Sequence, residues 1–154
     1  MTPQRPPRPK SRRPSAEPIT HYVVAVTSWE LSWLFSIADP KHDPGPYSEY
    51  STLTVRGDVH RPTPFRYPHA EIILSGRTRL PEPGPAEVPQ SLGYLDAREE
   101  TLHAYVTVPM ERLTLLAAVA DRIRLVCLTS TTLFRRRGHV RGLHVDTAFD
   151  PEEW

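Results

Sequence analysis

Apolar side chains recur at every second position along most of this chain, and that alternation limits it to a mainly β fold. Across residues 29–37, Trp29, Leu31, Trp33, Phe35 and Ile37 share one strand face, and Glu30, Ser32 and Ser36 share the other, with Leu34 as the exception. This is the pattern of a half-buried strand whose apolar face belongs to a core. Across 51–60, Leu53, Val55 and Val59 oppose Thr52, Thr54, Arg56, Asp58 and His60. Gly57 interrupts the apolar side, marking a bulge or a close backbone approach. Residues 70–75 and 92–96 add short strands, and Leu102, Ala104, Val106 and Val108 line one face of another. Residues 22–27 and 122–129 are apolar on both faces, as buried strands are.

One stretch departs from this period. Leu113, Leu116, Ala117 and Ala120 keep helical spacing, after Pro109, which suits a helix start, and Glu111, whose carboxylate suits the first turn. The spacing predicts a single helix over about 109–121. Asp39-Pro40, Asp43-Pro44 and Gly45-Pro46 mark one loop, residues 62–68 another. Residues 132–135 and 140–149 read as two hairpin arms around Arg136-Arg137-Gly138, and a change of apolar parity between Val140 and Leu143 places a bulge at Gly142. About nine short strands with one helix predict an antiparallel β-sandwich or barrel.

Eighteen prolines among 154 residues divide the chain. Pro3, Pro6, Pro7, Pro9, Pro14 and Pro18 fall in a basic segment with almost no apolar side chains, so residues 1–18 read as a disordered tail. Pro81, Pro83, Pro85 and Pro89 mark an extended surface connection within a single domain spanning 19–150, and residues 151–154 form an acidic end. Arg5, Arg8, Lys10, Arg12 and Arg13 against Glu17 make the tail strongly positive, while the remainder is slightly negative. Attraction to nucleic acid therefore concentrates in the tail.

The one cysteine, Cys127, excludes an intramolecular disulfide and sits between apolar neighbours, as a small buried hydrophobe in a reducing compartment does. No apolar segment of a signal peptide follows the basic N-terminus, the prolines preclude a transit-peptide helix, and the longest apolar run, 115–120, is too short to cross a bilayer. These features predict a cytoplasmic protein without membrane contact. Seventeen arginines against two lysines point to a GC-rich, bacterial genome and carry no mechanism.

Candidate sites are few. His60 shares a strand face with Asp58, and His144 with Asp146, so His60, His144 and Asp146 are candidate metal ligands on half-buried strands, where such residues are also ordinary wet-face choices. No His-x-x-His or Cys-x-x-Cys spacing supports them, no Gly-x-Ser-x-Gly elbow or phosphate loop is present, and no cofactor is implied. Arg135, Arg136, Arg137 and Arg141 cluster with His139 about one turn, suited to phosphate or carboxylate, with Arg122 and Arg124 as a possible extension. Hairpin tips also use such charge against aggregation. Tyr47, Tyr50, Phe65 and Tyr67 offer an aromatic platform or pins for their loops.

The leading expectation is a non-enzymatic β-sandwich interaction module, an accessory subunit or assembly component with a protein partner. The alternative is a nucleic-acid-associated protein using the tail and the patch at 135–141. A metal-dependent enzyme built on His60 and His144 comes third.

Overall fold

The computed structural model describes residues 17–39, 41, 45–78, 80, 84 and 89–153. Residues 1–16, most of the Pro81–Pro89 connection and Trp154 lie outside the described residues, and with them most of the tail expected to be disordered. Seven strands are present among the described residues: β1 (Ile19–Ile37), β2 (Tyr47–Arg61), β3 (His69–Arg77), β4 (Gly93–Arg98), β5 (Thr101–Pro109), β6 (Leu125–Thr131) and β7 (Arg137–Asp146). They close into a barrel in the order β1-β2-β3-β5-β4-β7-β6, with β6 returning to β1.

The mainly β class, the barrel and the single helix match the sequence pattern. Seven strands replace nine because 22–27 and 29–37 run on as one strand, and because 132–135 holds only an isolated bridge, Phe134 to Arg137, and the start of a turn. The sheet is antiparallel apart from one pair. β4 and β5 form a tight hairpin, and the chain leaving β3 crosses past the β5 position to enter β4. The returning β5 therefore lies parallel to β3.

Alternation fills the interior. Val24, Leu53, Val55, Ile72, Leu74, Leu95, Leu102, Val106, Val126, Leu128 and Val140 are each at most 1% exposed. Tyr22 joins them, in ring contact with Phe65, which in turn meets Tyr67 edge-on. Burial holds the Tyr22 phenol above its usual pKa, partly offset by hydrogen bonds to Thr20 and the Leu133 backbone.

Two bulges keep this lining continuous. Between Val26 and Ser28 the register skips Thr27, which moves the inward parity of β1 from even to odd residues. Between Thr129 and Ser130 on β6, the partner changes from Gly142 to Val140, so the bulge on β7 falls at Arg141, one residue before the Gly142 expected to hold it. Gly57 answers to close approach: a Cβ there would strike the Ala25 carbonyl oxygen.

The helix α1 (Met110–Ala118) is shorter than expected, because Val119 leaves helical geometry at φ −118° and a 3₁₀ turn, Ala120–Arg122, follows. α1 buries Leu113 over the barrel end where β3 and β5 finish. Gly76 permits this seat, since a Cβ there would lie 2.7 Å from Met110 Sδ and 2.9 Å from Leu113 Cδ2. No helix among the described residues is long and apolar enough to cross a membrane.

Candidate functional site

Two surfaces stand out, and the topology puts them at opposite ends of the barrel. The first is an arm. β1 pairs with β6 only from Ile19 to Ala25, but pairs with β2 as far as Ile37↔Tyr47. β2 in turn pairs with β3 only from Thr52 to Asp58. Beyond those limits the β1–β2 hairpin projects as a two-stranded ribbon, and among the described residues the outer edge of β1 from Thr27 to Ile37 has no neighbouring strand.

The sequence pattern assigned Trp29, Leu31, Trp33, Phe35 and Ile37 to a core, and the structure corrects this. Their exposures are 44, 47, 62, 53 and 85%. The face is the expected one, because Trp29 lies opposite Val55 and Leu31 opposite Leu53, both of which line the barrel. The lining simply continues beyond the barrel, where nothing of this chain's described residues covers it. Trp33 and Phe35 stack at 6.1 Å and Phe35 and Tyr47 at 5.3 Å, so the exposed rings form an ordered strip. Trp33 Nε1 donates to Glu49 Oε1 at 2.9 Å. The charged groups of the other face pair among themselves, with Arg56 reaching Glu30 at 3.3 Å and Glu71 at 2.9 Å.

The second surface is a cleft of about 1530 Å³ at the far end, lined by Glu17, Pro18, strand β4 and the β6–β7 turn. Phe134 and Arg137 exchange backbone hydrogen bonds at 2.8 and 3.0 Å around Arg135 and Arg136, whose φ values are 49° and 67°. Two consecutive left-handed residues define a type I′ turn, for which Asn-Gly is the usual choice. Arginines occupy both positions here. Arg135 lies over the exposed Phe134 ring at 5.3 Å, and Ala97 N donates to Arg136 O at 2.8 Å, tying the turn to β4. Arg135, Arg136 and Arg137 make no ion pair among the described residues. Arg141 stands at the rim on the β7 bulge and pairs with Glu17 at 3.0 Å, so three of the four predicted arginines line the cleft.

Arg122 and Arg124 do not extend this patch. They precede β6, whereas the turn follows it, and seven residues of strand separate them by about 20 Å. Tyr94 and Tyr105 stack at 4.8 Å beside the cleft, and Arg98 donates to the Tyr105 hydroxyl at 3.0 Å.

The remaining candidates disperse. Asp58 turns to His69, 3.0 Å away, rather than to His60. His60 sits on a bulge of β2, 3.3 Å from the Pro151 carbonyl oxygen and edge-on to Phe149. His144 Nε2 lies 3.6 Å from Asp146 Oδ2. The Ala148 N–H holds the Asp146 carboxyl below its usual pKa, with His144 adding to the effect. No group of three or more His, Cys, Asp or Glu side chains among the described residues is arranged to hold a metal ion. Cys127 is buried with Val23 and Leu125 under Phe149, and desolvation raises its thiol pKa. The four loop aromatics divide: Tyr47 and Tyr50 are exposed on the arm, while Tyr67 is buried and Phe65 half-buried against the barrel.

No protein-family model matches the chain, and neither a curated protein nor a solved structure does.

Proposed function

We propose that this chain is a non-enzymatic β-barrel interaction module, an accessory subunit or assembly component whose arm seats another polypeptide. The observation that carries the reading is the row Trp29, Leu31, Trp33, Phe35 and Ile37, continuous with the barrel lining yet 44–85% exposed. Monomeric proteins rarely present a contiguous apolar patch beyond about 300–600 Å², and large exposed patches mark interaction sites. An unpaired strand edge beside that patch adds backbone donors and acceptors for a partner. The test is a benzophenone side chain in place of Phe35, irradiated in cells. The expected product is an adduct with a polypeptide. Recovery of no polypeptide adduct refutes the reading.

One observation favours a second reading, a nucleic-acid contact at the other end. Left-handed residues with side chains concentrate where function maintains them against their backbone cost, and Arg135 and Arg136 line a cleft with Glu17 and Pro18, which follow the basic segment 1–16 in sequence. Replacing Arg135, Arg136 and Arg137 with Ser in the full chain should then flatten the log–log salt dependence of duplex binding by about 3, at roughly 0.9 per phosphate contact. An unchanged slope refutes it.

A further inference from the structure

We infer that the polypeptide seated on the arm is a second copy of this chain, the two arms packing aromatic face on aromatic face about a two-fold axis. The inference rests on the interaction reading above and adds the occupant.

The area is right for a dimer. Trp29, Leu31, Trp33, Phe35, Ile37 and Tyr47 lie on one face of the ribbon, with exposures from 44 to 85%. At roughly 150–250 Å² for a large side chain, this face offers on the order of 700 Å² per copy. A standard-sized stable interface needs about 800 Å² per partner. One arm covering another therefore supplies most of such an interface before any contact with the barrels.

The chemistry is self-matching. A partner chosen by charge would meet complementary charge, but Glu49 is the one charged side chain on this face of the described ribbon, and Trp33 Nε1 already donates to it. Glu30, Arg56 and Glu71 are paired on the opposite face. What remains is a strip of stacked rings and aliphatic chains, and the same strip satisfies it. Two such faces meet at the roughly 10 Å spacing of packed sheets. An isologous two-fold contact buries both strips at once and closes on itself.

The experiment is sedimentation equilibrium and native mass spectrometry of the full chain. The expected species has twice the 17.5 kDa chain mass, with concentration-dependent dissociation. Trp33→Glu with Phe35→Glu should weaken the dimer at least a hundredfold, because ring truncations at the centre of an interface have effects of this size. Its circular dichroism should match the parent, since both rings lie outside the barrel core. Leu115→Glu, on the 60% exposed position of α1, should leave the dimer intact. The benzophenone at position 35 should yield an adduct of twice the chain mass in the unsubstituted background, which tests the contact even if the double variant fails to fold. A parent that stays monomeric to tens of micromolar overturns the inference, as does a dimer that survives the double substitution. An adduct with a different polypeptide removes the second copy and leaves the interaction reading standing. No polypeptide adduct removes both.

Discussion

Replacing Arg135-Arg136 by Asn-Gly should stabilise the barrel while weakening its affinity for polyanions. Both residues are held at positive φ, 49° and 67°, by the reciprocal Phe134–Arg137 hydrogen bonds. An L side chain in the left-handed region costs about 1–2 kcal/mol per residue. Asn tolerates that region and Gly enters it freely, although Gly returns about 0.5–1 kcal/mol through greater unfolded-state entropy. The Ala97 N–H to Arg136 carbonyl bond is backbone to backbone and survives the change. The lost contact is the Arg135 guanidinium over Phe134, an exposed cation–π pair of about 0.5–1 kcal/mol. The balance is a gain of about 1 kcal/mol. For a domain of this size that raises Tm by roughly 3–5 °C, and the urea midpoint should rise with an unchanged slope. Calorimetry and urea unfolding measure the gain, and electrophoretic mobility of a duplex measures the lost binding. A lowered Tm would show that the arginine side chains stabilise the turn more than their backbone costs, and the argument from strain to function would fail.

Stability should separate the arm from the barrel even though both carry the same apolar stripe. Leu53→Ala, at 0% exposure, should cost about 2–5 kcal/mol in urea unfolding, whereas Trp33→Ala, at 62%, should stay within about 0.5 kcal/mol in dilute protein. Cys127 is 6% exposed with its pKa raised by desolvation, so iodoacetamide should label it slowly in the native protein and quickly in urea; fast native labelling would contradict its burial. Asp146, whose folded pKa is depressed, contributes stability above the ordinary aspartate value near 3.9 that is lost as pH falls through the lower folded value. Asp146→Asn should therefore flatten the acid limb of the stability–pH profile, and an unaltered limb would count against the Ala148 hydrogen bond as the cause.

Much of the barrel was legible because period-two alternation reports which side chains share a face. Leu102, Ala104, Val106 and Val108 all point inward as their spacing requires, and Leu113 is the buried residue of the one helical segment. The bulge on β7 was legible to within one residue, at Arg141 beside Gly142, because the apolar parity changes across that glycine. The parity also changes between Val26 and Trp29, for the same physical reason, yet no glycine marks Thr27 and the change resembles a break between two strands. The parallel β3–β5 pair was hidden for a different reason. Strand order depends on which neighbour a returning strand meets, and a half-buried strand carries the same alternation beside either. The Arg-Arg turn starts one residue and ends two residues earlier than Arg136-Arg137-Gly138 because its chemistry is unusual: type I′ positions call for Asn or Gly, and Gly138 lies just beyond the turn, already in β7.

The arm marks where sequence alternation stops being informative. A stripe such as Trp29, Leu31, Trp33, Phe35 and Ile37 states that one face must leave water, and it does so equally for a barrel interior and for an interface. Here the two are physically continuous, since Leu53 and Val55 on β2 lie opposite Leu31 and Trp29 on β1 and are fully buried while their partners are half-exposed. The difference between core and interface is therefore the reach of the neighbouring strands: β6 leaves β1 at Ala25, and β3 leaves β2 at Thr52. From Trp29 outward, the apolar side chains of this face are left 44–85% exposed by this chain's own described strands. The opposite face differs in kind: Glu30, Arg56 and Glu71 pair there beside the barrel, and further out only Leu34 and Tyr50 are apolar, between Ser32, Ser36 and Ser48. The row of two tryptophans, a phenylalanine, an isoleucine and a tyrosine on one face is therefore the feature on which the proposed contact stands or falls, and Trp33→Glu with Phe35→Glu is the substitution that tests it.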